Sequence, residues 1–226
     1  MEQYLAGFKK NLISFVHMLL SPLCPTCGGE INFAESICSV CMKSIALIDP
    51  PMKTFLPHVK KVWSPVLYQG TICKCLRKLK YFGNRQMLPV FKEIIERSSL
   101  KDIVKNTNID IIIPIPLFQK RHQNRGFNQS DIFSVLLSDL VSIPADLNCL
   151  EKIKHTRPQT GLNRQGRKIN ITKNVFTIRS SLKIRGKTIL LVDDILTTGT
   201  TLDRCAEKLL DSGAKAIYGF TIAKTL

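Results

Sequence analysis

Acidic residues are scarce in this sequence of 226 residues, which carries 17 Asp and Glu against 33 Lys and Arg, a formal net charge of +16 at pH 7. Glycine, with 12 residues, and proline, with 11, are too few for a collagen-like or low-complexity chain. With 44% hydrophobic and 22% charged residues, the composition is that of a globular protein rather than a disordered one. The sequence also lacks a run of about 18 apolar residues, the length that a membrane-spanning helix needs.

Two long segments contain no carboxylate at all. Residues 50–92 hold nine basic residues and residues 152–192 hold eleven, with no Asp or Glu in either segment. Such a field favours a polyanionic partner: the phosphates of a nucleic acid, a phosphorylated small molecule or an anionic membrane surface. Charge alone does not distinguish these partners from a basic surface that only keeps the protein in solution.

The first 22 residues predict an amphipathic helix, because apolar residues recur at helical spacing from Leu5 to Leu19. Lys9 and Lys10 precede an apolar run, but polar residues interrupt it and no small-residue cleavage site follows, which argues against a secretory signal. We therefore expect a cytoplasmic protein, whose basic N-terminus could also lie at the inner face of the membrane as a peripheral contact.

Four of the eight cysteines form two Cys-x-x-Cys turns, which pair Cys24 with Cys27 and Cys38 with Cys41. A two-residue spacer lets both sulfurs of a turn reach one ion, and four thiolates fill the tetrahedral shell of zinc. We expect residues 23–50 to form a small module around a structural zinc ion, because no coordination position stays open for chemistry. Two redox-active dithiols are the alternative. The remaining cysteines, which fit buried apolar packing, are Cys73, Cys75, Cys149 and Cys205.

Residues 51–226 predict a domain of alternating strands and helices. Helical spacing of apolar residues predicts helices over 72–82, 85–98, 129–140 and 200–212. Apolar runs predict strands over 62–68, 109–113, 147–150, 188–192 and 216–222. Strands that alternate with helices of this length indicate an α/β fold, with a parallel sheet and helices on both of its faces.

Two adjacent carboxylates, Asp193 and Asp194, directly follow the apolar run 188–192, and a Thr/Gly loop, residues 197–201, leads from them into a predicted helix. Open α/β folds bind ligands at the carboxyl edge of the sheet, where such carboxylates would lie. Backbone N–H groups, Thr hydroxyls and a helix N-terminus suit a phosphate, and Gly199 permits a close approach of the backbone. A phosphorylated sugar is the joint ligand that fits both parts.

The segment 188–202 resembles the 5-phosphoribosyl-1-pyrophosphate (PRPP) binding motif of type I phosphoribosyltransferases. The resemblance implies that Asp193 and Asp194 are the catalytic pair, which holds the ribose hydroxyls, and that Mg²⁺ binds together with PRPP. It also implies that the loop holds the 5′-phosphate. The loop residues concerned are Thr197, Thr198, Gly199, Thr200 and Thr201.

Three further segments, residues 79–85, 113–129 and 152–176, are similar to signatures of the competence protein ComF family, and with the cysteine module they span nearly the whole chain. The resemblance implies a type I phosphoribosyltransferase-like domain over residues 51–226, with a mobile loop at 156–170 covering the site. It implies that the turn after the strand 109–113 occupies the place of the pyrophosphate loop. The residues implied in phosphate binding there and nearby are Pro114, Ile115, Pro116, Arg121, Arg125 and Arg167.

ComF proteins are associated with the uptake of transforming DNA, where they work on single-stranded DNA inside the cell beside a DNA-translocating helicase and a recombination-mediator protein. The resemblance therefore implies a competence protein on a scaffold that binds PRPP. Two alternatives stay open: an active phosphoribosyltransferase of nucleotide biosynthesis or salvage, and a nucleic-acid-binding zinc protein whose loop is an empty relic. The candidate nucleic-acid contacts are Lys74, Arg77, Lys78, Lys80 and Arg85.

Overall fold

The computed structural model describes residues 22–48, 54–83, 85–118, 126–153, 175–179 and 182–226. The predicted N-terminal helix up to residue 21, the segment 156–170 and the arginines Arg121, Arg125 and Arg167 lie outside these ranges. Within the ranges, no helix is both long enough and apolar enough to cross a membrane.

The described helices are α1 (Ser39–Lys43), α2 (Gly70–Phe82), α3 (Leu88–Arg97), α4 (Leu100–Thr107), α5 (Gln129–Val141) and α6 (Thr200–Asp211). The described strands are β1 (Val62–Trp63), β2 (Val66–Leu67), β3 (Ile111–Pro114), β4 (Leu150–Lys152), β5 (Phe176–Ile178), β6 (Thr188–Leu196) and β7 (Ala216–Lys224). A 3₁₀ turn over Arg85–Met87 links α2 to α3.

The main sheet is parallel, with the strand order β1-β7-β6-β3 and with β2 also paired to β7. Leu190 and Val192 of β6 pack on one face of the sheet with α2, α3, α4 and α5. Ile189 and Leu191 pack on the opposite face with α6. The alternation follows from the two-residue period of a strand, and it confirms the predicted α/β fold with helices on both faces of a parallel sheet.

The strand predicted over 62–68 is wrong in its continuity, since the chain forms two short strands on either side of Ser64 and Pro65. Pro65 has no N–H group for the ladder, and its carbonyl accepts a 2.7 Å hydrogen bond from the Ile48 N–H instead. The Ser64 hydroxyl lies 2.6 Å from the Thr221 hydroxyl of β7, so the interrupted edge stays attached to the sheet.

The strand predicted over 147–150 begins later than predicted and does not join the parallel sheet. Asp146 and Asn148 form a turn in which the Asp146 carboxylate accepts a 3.0 Å hydrogen bond from the Asn148 N–H. The strand β4 begins only at Leu150, and it pairs antiparallel with β5 in a separate two-stranded sheet.

The helix boundaries also differ from the prediction. The helix predicted over 85–98 begins as the 3₁₀ turn and is regular only from Leu88, while α4 was not predicted. The strand predicted over 188–192 extends to Leu196, because β7 continues beside it as far as Lys224. Three of the four remaining cysteines are buried as predicted, whereas Cys73 is half-buried on α2.

Candidate functional site

The acidic pair, Asp193 and Asp194, lies inside β6 rather than after it. The neighbouring strand β3 ends earlier, at Pro114 opposite Val192, and the Ile115 N–H donates the last hydrogen bond, to the Val192 carbonyl at 2.8 Å. The pair therefore extends beyond its β3 neighbour at the carboxyl edge of the sheet, the place where parallel α/β sheets bind ligands.

Asp193 is a half-buried carboxylate with two hydrogen-bond donors. Its Oδ1 atom accepts a 3.0 Å bond from the Ser130 hydroxyl of α5 and a 2.9 Å bond from the Asp194 N–H. Burial, followed by the neighbouring charge of Asp194, raises the pKa of Asp193 to about 7, against the opposing effect of these bonds and of Lys80. A carboxyl group that changes charge near neutral pH can both accept and donate hydrogen bonds to the hydroxyls of a sugar.

Asp194 faces a cation from another part of the chain. The Lys80 ammonium nitrogen, near the end of α2, lies 3.6 Å from Asp194 Oδ2. The two side chains are 29% and 17% exposed, so solvent screens the pair only partly. The acidic pair is thus flanked by a hydroxyl donor on one side and an ammonium group on the other.

The Thr/Gly loop, residues 197–201, turns directly from β6 into α6. Gly199 lies at the start of α6 with φ +73°, a left-handed conformation that favours glycine. A Cβ at this position would lie 2.6 Å from Leu56 Cδ2, so the neighbouring segment packs directly on the loop. Thr198 and Thr200 are exposed with their hydroxyl oxygens 2.9 Å apart, and the Thr200 N–H, the first of α6, donates a 3.4 Å hydrogen bond to the Thr198 hydroxyl.

Asn128 links the predicted pyrophosphate turn, at the end of β3, to the helix α5. It begins α5, where its side-chain oxygen accepts a 3.3 Å hydrogen bond from the Ser130 N–H, as an N-cap residue does. Its Nδ2 atom donates to the Ile115 carbonyl at 3.0 Å and to the Asp131 carboxylate at 2.6 Å. The predicted pyrophosphate turn, Pro114 to Pro116, is therefore fixed to the start of α5, the helix whose Ser130 hydroxyl donates to Asp193.

The four predicted metal ligands are brought together near the N-terminus. The sulfur atoms of Cys24, Cys27, Cys38 and Cys41 all lie within 4.8 Å of one another, and Cys27 Sγ is 3.6 Å from Cys38 Sγ. Bonds of about 2.3 Å in a tetrahedral zinc site place the sulfurs about 3.8 Å apart. The cluster therefore fits a tetrahedral metal ion such as zinc.

The electrostatics of the cluster also call for a cation. Burial acts to raise the pKa of the Cys24 thiol, but hydrogen bonds from the Thr26 hydroxyl and from backbone N–H groups outweigh it and lower that pKa to about 5. Burial raises the pKa of Cys41 to about 12, and the adjoining thiols add to this rise. Four thiolates at these distances repel one another unless a bound cation neutralises them.

The cysteine module, residues 23–48, packs against the first half of α2. The Lys74 ammonium donates a 2.8 Å hydrogen bond to the Thr26 carbonyl, and the Ser44 and Thr71 hydroxyls lie 2.7 Å apart. Cys24 and Cys41 belong to the same apolar core as the inner face of α2. The same helix therefore contacts the cysteine cluster at one end and the acidic pair at the other.

The five candidate nucleic-acid contacts differ in their surroundings. Lys74 donates to the cysteine module and Lys80 faces Asp194, so both have partners within the protein. Arg77 is exposed and contacts the Tyr68 hydroxyl, and Arg85 is exposed in the 3₁₀ turn. Lys78 is half-buried on α2.

Comparisons with known proteins found matches to the region of the acidic pair and to nearly the whole chain. Residues 133–224, which contain the acidic pair and the Thr/Gly loop, match the model of the phosphoribosyl transferase domain. The competence protein F of Haemophilus influenzae is 28% identical over 97% of this chain and 89% of its own length. The competence protein ComFC of Bacillus subtilis is 26% identical, over 90% of this chain and 78% of its own. The chain is therefore similar to competence proteins of the ComF type over nearly its whole length.

The chain is also 28% identical to the DNA utilization protein YhgH of Escherichia coli, over 90% of this chain and 85% of the relative. Among solved structures, a purine phosphoribosyltransferase from Pyrococcus horikoshii overlaps 57% of the chain and 78% of its own, at 20% identity and a TM-score of 0.37. Adenine phosphoribosyltransferase from Saccharomyces cerevisiae overlaps 64% and 72%, at 16% identity and a TM-score of 0.41. The phosphoribosyltransferase-like fold rests on the parallel sheet and the matched domain.

Several residues of the candidate site escaped sequence reasoning. Ser130 follows the ComF-like segment 113–129 directly, but only the fold places its hydroxyl on Asp193, 63 residues further along the chain. The sequence also does not indicate that Lys80 lies beside Asp194 or that Leu56 packs on Gly199. Residues 79–85 around Lys80 resemble a ComF signature to which no role was assigned. This resemblance was the one signal in the sequence that could have indicated the site.

Proposed function

We propose that this protein is a ComF-type competence protein that binds PRPP at the acidic pair and takes part in the handling of transforming single-stranded DNA. The observation that carries the first half is the adjacency of two carboxylates and a Thr/Gly loop at the carboxyl end of β6. An active phosphoribosyltransferase of nucleotide biosynthesis or salvage is the second candidate, and the intact acidic pair is the observation that favours it.

The loop supports binding of the 5′-phosphate. The first backbone N–H groups of a helix have no partner within that helix, and the helix dipole adds a partial positive charge at the same end. The α6 helix runs from Thr200 to Asp211, long enough to develop that dipole. The exposed hydroxyls of Thr197, Thr198, Thr200 and Thr201 add further donors for phosphate oxygens.

The acidic pair supports binding of the ribose. Asp193 and Asp194 present carboxylate oxygens at the edge of the sheet, and two hydroxyls of a sugar ring can donate to them. Mg²⁺, bound with PRPP, would neutralise charge on the diphosphate group, and carboxylate oxygens nearby are compatible with this hard cation. The turn Pro114 to Pro116 and the arginines Arg121, Arg125 and Arg167 are proposed to receive the diphosphate.

Isothermal titration with PRPP and Mg²⁺ tests this half of the proposal. We expect wild-type protein to bind, and the double variant Asp193→Asn, Asp194→Asn to lose at least about a hundredfold in affinity, because both acceptors become weaker amide groups. The variant Asp139→Asn, which changes an exposed carboxylate on α5, is the matched control and should bind as wild type does. Equal affinity of the double variant and the control would overturn the site.

The proposal for single-stranded DNA rests on charge and on the family. Residues 50–92 contain no carboxylate, and Arg77 and Arg85 expose their guanidinium groups within that segment. Phosphodiester groups gain Coulomb energy and release counterions on such a surface. By family resemblance we propose the competence helicase and a recombination mediator as partners, on the cytoplasmic side of the membrane.

Fluorescence anisotropy with a labelled single-stranded oligonucleotide tests the DNA surface. We expect the double variant Arg77→Glu, Lys78→Glu to bind at least about tenfold more weakly, with a shallower dependence on salt concentration. The variant Lys101→Glu, Lys105→Glu carries the same change of charge on α4 and should retain most of the affinity. Equal losses in both pairs would show that net charge, and not this face of α2, governs binding.

A complementation experiment separates the two candidate functions. A strain that lacks this protein is rescued with wild type or with the double variant of the acidic pair, and transformation frequency is measured. If the site serves DNA uptake, the variant fails to restore transformation while nucleotide pools stay normal. If the protein is a biosynthetic transferase, the deletion itself disturbs nucleotide pools.

A further inference from the structure

Lys80 lies in the segment 79–85. This segment resembles a signature of the ComF family, but the resemblance does not imply a function for Lys80. Its Nζ atom is 3.6 Å from Asp194 Oδ2. It also lies outside residues 133–224, the part of the chain that matches the phosphoribosyl transferase domain. A cation from the first half of the chain therefore lies beside an acidic pair that belongs to the matched domain.

Contacts within the second half of α2 and directly after the helix fix the position of Lys80. Leu76 and Leu79 are 2% and 0% exposed in the apolar core, so the helix cannot rotate without exposing them. After the helix, Gly83 takes a left-handed conformation at φ +58°, and a Cβ there would lie 3.4 Å from a ring carbon of Phe127. Phe127 immediately precedes Asn128, so the end of α2 lies against the start of α5, the helix whose Ser130 hydroxyl donates to Asp193.

When a ligand binds beside Lys80 and Asp194, the positive charge of Lys80 favours an anionic group of that ligand. While the site is empty, the ammonium group is the counter-ion of Asp194. When sugar hydroxyls donate to the carboxylates, the ammonium group keeps hydrogen-bond donors to spare, because a lysine has three. Its four-carbon side chain is flexible enough to turn the nitrogen toward a neighbouring anion.

We propose that Lys80 is a ligand-contacting residue that binds the diphosphate group of a phosphoribosyl ligand, and that it pairs with Asp194 in the empty site. This inference rests on the proposed binding of PRPP and adds the chemical group that this residue recognises. A purely structural ion pair is the competing explanation. A partly exposed pair of this kind contributes little to stability, and its loss would affect all ligands of the site alike.

Ligands that differ in the diphosphate group separate these explanations. Isothermal titration in the presence of Mg²⁺ is carried out with PRPP, with inorganic diphosphate and with ribose 5-phosphate. We expect Lys80→Met to weaken PRPP and diphosphate at least about tenfold and ribose 5-phosphate by less than about twofold. Lys80→Arg should recover part of the lost affinity, because it keeps the charge. Lys105→Met, which changes an exposed lysine on α4, should bind all three ligands as wild type does.

The outcomes distinguish this inference from the proposed function. If wild type binds none of the ligands, the PRPP site itself is wrong and the role of Lys80 falls with it. If wild type binds PRPP and Lys80→Met binds it equally well, the role of Lys80 is wrong while the site stands. A uniform loss for all three ligands would also overturn the role, in favour of a structural ion pair. Lys80→Gln, which keeps a polar side chain of similar length, provides the same comparison if the Met variant does not fold.

Discussion

The Ser130 hydroxyl donates a 3.0 Å hydrogen bond to Asp193 Oδ1 and so joins the first turn of α5 to the end of β6. The bond stabilises the charged form of a carboxyl group that burial and the neighbouring Asp194 shift toward neutrality. The ionisation of the site is therefore set by the packing of α5 against the sheet as well as by the acidic pair itself.

Removal of that hydroxyl should raise the pKa of Asp193. We expect Ser130→Ala to move it upward from about 7, by up to about one unit, because the charged form loses a donor. Carbon-13 NMR of the labelled carboxyl group measures the titration directly. The control Ser134→Ala removes a buried hydroxyl on the same helix that has no hydrogen-bond partner among the described residues. An unchanged titration in Ser130→Ala would show that the bond does not hold the charge.

The raised pKa of Asp193 makes the stability of the ligand-free protein depend on pH. A carboxyl group whose pKa rises on folding contributes stability that is fully present below the unfolded value, near 3.8, and is lost as pH rises through about 7. We expect Asp193→Asn to remove this loss, so at pH 8 the variant should be more stable than wild type by up to about 4 kcal/mol. Urea unfolding between pH 4 and pH 8 measures the difference.

The control for that experiment is Asp139→Asn, because Asp139 is an exposed carboxylate on α5. Its stability should differ little from that of wild type, because the side chain is exposed on the surface of α5. If Asp193→Asn gains no stability at pH 8 relative to pH 4, the carboxyl group of Asp193 ionises at an ordinary pH in the folded protein.

Local sequence patterns predicted the parts of the fold in which neighbours along the chain decide the structure. The apolar run 188–192, the acidic pair and the helix from Thr200 all follow from residues that are adjacent in sequence. Two Cys-x-x-Cys turns likewise predicted the cysteine cluster, because each turn places two sulfurs by itself.

Tertiary contacts decided what the sequence did not reveal. The strand β5 has three residues, too few for a periodic pattern, and it exists because β4 pairs with it. Ser130 and Lys80 reach the acidic pair from α5 and α2, far away along the chain, so no spacing rule connects them with it. The sequence shows that Lys80 is charged, but the direction in which its side chain points depends on how α2 packs on the sheet.

The contact between Gly199 and Leu56 gives a third prediction, for the Thr/Gly loop. Gly199→Ala should destabilise the protein through its positive φ, at a cost of about 1–2 kcal/mol, and through a clash of the new methyl group with Leu56 that adds about 1–3 kcal/mol. Gly186→Ala is the matched control, since Gly186 has φ +71° and no atom within 4 Å of the added Cβ. Urea unfolding of both variants isolates the clash as their difference, and equal costs would contradict it.

Loss of the metal ligands gives the fourth prediction. Elemental analysis should find one zinc ion per chain in wild type and none in Cys24→Ser, Cys27→Ser, because two thiolates cannot retain the ion against chelation. The variant should lose several kcal/mol of stability, about the scale on which a structural metal supports a small module. Cys73→Ser, which changes a half-buried cysteine outside the cluster, should keep its metal and serves as the control.

The same variant tests whether the cysteine module supports the acidic pair. The module packs on the first half of α2 through Lys74 and Thr71, and the second half of that helix presents Lys80 to Asp194. A displaced α2 would move that ammonium group, so PRPP affinity should fall in the metal-free variant and stay unchanged in Cys73→Ser. A metal-free protein that binds PRPP as wild type does would show that α2 keeps its position on the sheet through the apolar core alone.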